Sequence, residues 1–525
     1  MGDKSMATHK SGLSFRFKRL KSFLNMLKAS KRGMFGIVIL ICFGVLAVGA
    51  PVLTSNDPIG STSLAGSSDA PAMPSWVRYL PGGDSLSENL APVVDPGFSS
   101  PDSLKEWNIS VVPHVSNALV EQIPGISTSK TETQDGSLKV AYSRRGRIEA
   151  PIEFKVTVSK KFSYPYNGPP ARFMATMAVL FERLNNVTVR VKTFVQQGWL
   201  ESQAPDTFQY TRFEWGTGKN GAVETFSEAT LTSDRSYLSW VYPKETIGFQ
   251  DSKSVKKTFP KSGDYYFGVE ISFTDLRSTD NARAIIFLDN LNIRLYGTTY
   301  GLLGTTKVGQ DLFSQLAYGA RVSLTIGLLA SLLSIVIGLF VGLLSAYLGG
   351  FADELLMRLT DAMLVLPTLP LLIVLMAVMR GASMEIIIIL VGVLGWMGFA
   401  RVVRSQVLSI KERPYIEAAK AVGAGTPHIL MRHIIPNVMS LVYVTLAMSV
   451  PGAIVSEAAL SFLGYRDVNR ISWGRILFEV RDANAYRDWW WVVPPGIAIA
   501  AVSLSFILLG YALDEILNPK LRVRR

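Results

Sequence analysis

The chain has 525 residues, 48% hydrophobic and only 18% charged, with 53 Lys and Arg against 41 Asp and Glu and a formal charge of +12. Positive mean hydropathy with so few charges points to a membrane protein carrying a large polar part. The single cysteine, Cys42, excludes an internal disulfide framework and a cysteine metal site, and leaves the redox compartment open.

The positive charge is concentrated. Residues 1–33 hold nine Lys and Arg against Asp3, residues 401–434 hold six against Glu412 and Glu417, and residues 514–525 hold four against Asp514 and Glu515. The remainder of the chain is slightly acidic. A basic excess confined to segments that flank apolar runs is the product of the positive-inside rule, so a nucleic-acid partner is not expected and a lipid bilayer is.

In chain order, residues 1–33 form a basic cytoplasmic tail and residues 34–54 the first transmembrane helix. The run 34–53 has 20 residues without a charge, enough to cross about 30 Å of hydrocarbon at about 1.5 Å per residue. A cleaved signal peptide fits less well, because the basic leader is long and Pro51 follows directly on Val48-Gly49-Ala50, the only plausible cleavage site. Residues 55–104, rich in Gly, Ser, Pro and Asp, read as linker.

Residues 105–300 change texture. Segments 152–158, 187–194, 265–273 and 284–295 mix β-branched and aromatic residues between turn clusters such as Lys261-Ser262-Gly263-Asp264, which predicts an antiparallel β-sandwich inserted outside the cytoplasm. Its last part, Leu288-Asp289-Asn290-Leu291-Asn292-Ile293-Arg294-Leu295-Tyr296, resembles the final strand of jelly-roll carbohydrate-binding modules. Trp199, Trp215, Trp240 and Tyr242 could stack on sugars or touch a partner, or could simply fill the core of a structural cap or docking surface.

Residues 301–525 hold further apolar stretches at about 322–348, 362–379, 386–400, 438–454 and 490–513. Six spans place both termini on one side, and the basic segments assign that side to the cytoplasm. The segment 455–488 on the other side balances five Arg against five acids. Glu385 and Glu457 are expected at span ends. The fold class is thus mostly α, a six-helix polytopic membrane protein with an inserted extracytoplasmic β-sandwich-like domain.

Between the fourth and fifth spans runs Glu417-Ala418-Ala419-Lys420-Ala421-Val422-Gly423-Ala424-Gly425-Thr426-Pro427-His428-Ile429-Leu430-Met431-Arg432-His433-Ile434-Ile435-Pro436-Asn437. It resembles the EAA loop of ATP-binding-cassette importer permeases, with Gly423 following Ala419 by four residues and Pro436 following that glycine by thirteen. The His-Ile-Ile-Pro-Asn ending resembles the oligopeptide/dipeptide/nickel branch. Small alanines favour helix while allowing close approach of another backbone, and Gly423 can end the helix in a left-handed conformation.

The resemblance implies an ATPase-coupling role for Glu417, Ala418, Ala419, Gly423, His433 and Pro436. It also implies a second homologous permease, two ATPase subunits and an extracytoplasmic solute-binding protein as partners. Leu303 to Ser314 resembles the start of the family's core, with Thr306 and Gln310 where Asp and Arg are usual. The tail from Gly510 to Arg522 resembles its closing segment. The implied location is the bacterial inner membrane, and the implied cargo is an oligopeptide or dipeptide, with oligosaccharides and nickel chelates as alternatives.

A Gly-x-x-x-x-Gly-Lys-Ser/Thr loop does not occur in the sequence, so ATP hydrolysis is expected from separate subunits and no catalysis from this one. His9, His114, His428 and His433 are too scattered to predict a metal site, and no cofactor is expected. A membrane-anchored β-sandwich receptor would need one span rather than six. An ion-coupled secondary transporter would place acids inside its spans.

Overall fold

In the computed structural model the chain forms two units, Met1–Gly60 with Leu312–Arg525, and Ser61–Asp311. The residues described are 30–517 without 61–63, 67–69, 113–117, 125–135, 147–152, 186, 198–207, 216–226, 234–246, 250–254, 257, 276–280 and 380–382. The basic tail to residue 29, His9, His114, Trp199, Trp240, Tyr242 and the end of the closing segment therefore lie outside them. The Trp215 side chain does so as well.

The first unit is helical. Helix α1 spans Lys31–Leu53, and the Ser30 side chain caps it by accepting from the Gly33 N–H. Then come α2 (Leu312–Leu348), α3 (Gly350–Val365), α4 (Thr368–Val378), α5 (Met384–Val393) and α6 (Met397–Lys411). The unit ends with α7 (Pro414–Ala421), α8 (Thr426–Phe462), α9 (Trp473–Asp482) and α10 (Trp489–Leu517). Among the described residues, α1, α2, α8 and α10 are each long and apolar enough to cross a bilayer.

Two expected spans are not single helices. The stretch at 362–379 falls on α3 and α4, which meet at 88°, and the stretch at 386–400 falls on α5 and α6, which meet at 43°. Pro367 explains the first break: its ring disfavours helical backbone at the preceding residue, and Leu366 is extended at φ −70°, ψ 131°. The second break falls at Leu394, Gly395 and Trp396.

Close packing within this unit depends on missing side chains. Gly338 and Gly342 lie four apart on α2. A Cβ there would stand 2.8 Å from the Trp396 carbonyl oxygen and 2.6 Å from that of Ala400 on α6. Small residues at this spacing let helix backbones touch where lipid provides no hydrophobic drive to associate.

The second unit contains two sheets. One runs, in spatial order, β1 (Asn108–Val112), β4 (Glu153–Tyr164), β10 (Gly263–Asp275), β6 (Val187–Gln197) and β7 (Phe208–Trp215), and the other β2 (Ala118–Ile123), β3 (Leu138–Arg145), β11 (Asn281–Tyr296), β5 (Arg172–Asn185), β8 (Ser227–Thr232) and β9 (Ile247–Phe249), antiparallel except for the β8/β9 pair. The segments singled out in the sequence fall on β4 (Glu153–Tyr164), β6 (Val187–Gln197), β10 (Gly263–Asp275) and β11 (Asn281–Tyr296). Their alternate residues are buried, for example Val187, Val189 and Val191, or Ala282, Ala284, Ile286 and Leu288. One apolar core collects these side chains with Tyr142 of β3 (Leu138–Arg145) and Phe173 and Val179 of β5 (Arg172–Asn185).

The stretch read as linker does not hang free. Val93 and Phe98 enter that core, and Leu90 exchanges two backbone hydrogen bonds with Leu295. Its Gly, Ser and Pro content signals turns, and turns are compatible with an ordered strap.

Candidate functional site

The segment between α6 and α8 is a short helix set off by two stops. Arg413 is extended, Pro414 opens α7 where its missing N–H costs nothing, and Gly423 closes it at φ +82°. The Gly423 N–H donates to the Lys420 carbonyl and the Ala424 N–H reaches back to that of Ala419, so the helix's last carbonyls are satisfied by the left-handed turn. Glu417 and Ala418 are exposed, and Ala419 is half-buried.

After Gly425 the chain turns into α8, whose stretch Leu430–Ile434 is a π-helix. Pro436 accounts for it. A proline cannot donate to the carbonyl four residues back and its ring crowds that carbonyl, so the ladder widens by one residue. Here the Ile435 N–H bonds the Leu430 carbonyl, and Asn437 Nδ2 donates to the His433 carbonyl at 2.6 Å. The half-buried His433 ring lies 6.2 Å from Tyr415 and 5.9 Å from His428.

Sequence reasoning singled out the alanines and the glycine but missed what fastens them. Ile416, Ile429 and Ile434 are buried with Val403, Val407 and Ile410 of α6, Ile335 and Ala346 of α2, and Val438 and Val442 of α8. The signal was present: Val403, Val407 and Ile410 have helical spacing, and Ile434 and Val438 lie one turn apart. The opposite face carries Val422, 85% exposed, with exposed Met431 and Tyr415.

Elsewhere, Thr306 and Gln310 close a turn on each other. The Thr306 N–H donates to the Gln310 carbonyl at 2.9 Å and the Gln310 N–H to Thr306 Oγ1 at 3.1 Å. Among the described residues no three His, Cys, Asp or Glu side chains gather as metal ligands.

Glu457 lies five residues before the end of α8 and is 1% exposed. Its Oε1 accepts from Ser461 Oγ at 2.7 Å and from Ser472 Oγ at 2.6 Å, and Ser472 also caps α9 by accepting from the Arg475 N–H. Hydropathy registers the Glu457 charge but not the hydroxyls folded over it. Replacing Glu457 by alanine is expected to cost about 2–4 kcal/mol, from two unpaired hydroxyls and the cavity. Glutamine, which keeps an acceptor oxygen, is expected to cost less than about 1 kcal/mol. The thermal midpoint of detergent-solubilised protein reads both, and an unchanged midpoint in the alanine variant counts against the account.

A protein with several bilayer-length helices, among the described residues, is an integral membrane protein. Residues 313–523 match the family of the binding-protein-dependent transport system inner membrane component. The chain is 37% identical to the dipeptide transport system permease protein DppC of Bacillus subtilis over 220 residues, 42% of this chain and 68% of that one. It is 38% identical to the oligopeptide transport system permease protein OppC of the same organism over 220 residues, 42% and 72% of the two chains. Among solved structures, an inward-facing form of the MetNI methionine ABC transporter aligns with 40% of this chain and 97% of its own, at 18% identity and a TM-score of 0.33.

The chain belongs to the family of binding-protein-dependent transport system inner membrane components, the permeases of ATP-binding-cassette importers, and is an integral inner-membrane protein. The matched residues leave out the whole of the β-sheet unit.

Proposed function

We propose that this chain is the permease subunit of an ATP-driven importer of oligopeptides or dipeptides. In this reading it forms half of the translocation pathway together with a second homologous permease. Each bent pair, α3 with α4 and α5 with α6, serves as one span, which makes six and puts both termini in the cytoplasm. One of two ATPase subunits receives the knob at 413–437, and a solute-binding protein delivers cargo on the other side. The unit carrying residues 105–300 is an extracytoplasmic β-sandwich, and the chain itself catalyses nothing.

The observation that carries this reading is the knob. Glu417, Ala418 and Gly423 stand at the surface beside the exposed Val422, while Ile416, Ile429 and Ile434 lock their base to α2, α6 and α8. A force applied to the tip is thereby delivered to the spans. Similarity to the dipeptide and oligopeptide permeases supports the cargo class.

The test is purification of the tagged chain after co-expression with its gene neighbours, followed by reconstitution into liposomes. Co-purification of ATPase subunits and a second permease is expected, with ATP-dependent peptide uptake that requires the binding protein. Transport by particles lacking either partner overturns the assembly, and uptake of oligosaccharide or nickel chelate in place of peptide overturns the cargo.

A further inference from the structure

The coupling reading says where force enters but not how it reaches the bent arm α3–α4, and α3 poses a mechanical problem. Of its sixteen residues only Thr360 is fully buried, and among its apolar side chains Met363, half-buried near its C-terminal end, packs against the buried clusters of Leu372 and of Trp396. Its acidic residues add polar ties along the rest of its length. Asp353 accepts a two-pronged pair from Arg404 of α6, with Nε to Oδ1 and Nη2 to Oδ2 both at 2.6 Å, and it also accepts from Ser345 Oγ near the end of α2. Two turns further along α3, Asp361 pairs with Arg401.

Helix α6 therefore has two working faces. Val403, Val407 and Ile410, spaced four and three apart, lie in the core that holds Ile416 and Ile429 of the knob. Arg401 and Arg404, one turn apart, hold α3. On the same side as Arg404, seven residues on, Lys411 Nζ donates to the carbonyls of Ala346 and Tyr347 at 3.2 and 3.1 Å, where α2 comes to its end. Cations at a helix C-terminus are favoured by its exposed carbonyls. The Tyr347 hydroxyl lies 3.1 Å from Thr426 Oγ1 at the start of α8.

We infer that the ladder Arg404–Asp353 and Arg401–Asp361 is the linkage through which movement of the coupling knob reaches the α3–α4 arm, with these four as positioning residues. The inference rests on the coupling role of 413–437. A planar guanidinium held by both carboxylate oxygens fixes orientation as well as distance, which a point charge on a flexible stem does not. When the knob carries α6 with it, α3 must follow or break two ion pairs, one of them half-buried.

Charge exchange in the full reconstituted importer tests it. Arg404→Asp alone and Asp353→Arg alone are each expected to lower peptide uptake per ATP hydrolysed about ten-fold or more, while the double exchange restores most of it. Arg404→Lys, which keeps the charge and loses the fork, should fall between. If single reversals impair insertion, the milder Arg401→Gln and Asp361→Asn changes serve, each expected to lower the same ratio about three-fold, with no further loss when combined.

Membrane level and thermal midpoint are followed alongside, since a purely structural role would shift these and leave the ratio intact. An unchanged ratio in the single variants, or a double exchange that assembles normally and stays uncoupled, overturns the ladder. The foundation is checked separately by Gly423→Pro: normal uptake there refutes the coupling reading itself, whereas loss of uptake there with an inert ladder refutes only this inference.

Discussion

Replacing Gly423 by proline is expected to abolish uptake while leaving membrane insertion intact. Gly423 sits at φ +82°, and proline locks φ near −65°, so the turn that ends α7 cannot form. The hydrogen bond from the Gly423 N–H to the Lys420 carbonyl is lost at the same time. No span is touched, because the residue is exposed and nothing lies within 4 Å of where a Cβ would stand. Gly423→Ala separates strain from crowding: it fits the space and bears only the left-handed penalty, about 1–2 kcal/mol, so partial uptake is expected.

Glu417→Lys reverses an exposed charge that has no ion-pair partner among the described residues, and it too should stop uptake without affecting the fold. Uptake and ATPase rates in reconstituted particles measure both effects. Wild-type uptake by Gly423→Pro or Glu417→Lys at normal expression would count decisively against the coupling role.

The second large effect is expected in the β-sheet unit, from Asp275→Ala. Asp275 and Arg144 bury their side chains to 3% and 1% exposure, joined by Nε to Oδ2 at 2.6 Å and Nη2 to Oδ1 at 3.1 Å, and Tyr142 donates its hydroxyl to the same carboxylate at 2.8 Å. Removing one member of a buried pair strands the other charge, at a cost of about 3–5 kcal/mol. That is a large part of the roughly 5–15 kcal/mol that holds a domain folded. Limited proteolysis and thermal unfolding of the full chain should show this unit opening first, and a midpoint within a degree or two of wild type would refute the assignment.

The same unit has a defined response to alkali. Burial raises the hydroxyl pKa of Tyr142, Tyr164 and Tyr265 above the usual 10, and all three donate hydrogen bonds as neutral phenols. An unfolded tyrosine ionises first, so this stability is fully present below pH 10 and declines as the pH rises beyond it.

How much of this was legible beforehand depends on the distance over which each feature is set. Uncharged run length is a local property, and it located the apolar helices, because hydrocarbon accepts only backbone that satisfies its own hydrogen bonds. Alternation of β-branched and aromatic residues is equally local and located β4, β6, β10 and β11. The segment of the knob was legible from its likeness to the EAA loop, and within it Gly423 and Pro436 act on their immediate neighbours.

What only the tertiary structure decided involves partners far apart in sequence. Arg144 finds Asp275 across 131 positions, and Arg404 finds Asp353 across 51. No periodicity announces such pairs. Hydropathy registers Glu457 only as a charge, whereas in the fold Ser472, fifteen residues on, returns to cover it. The two bends fall between these cases. Pro367 marked the break in plain view, but only the packing of the finished unit determined that the halves would meet at 88°.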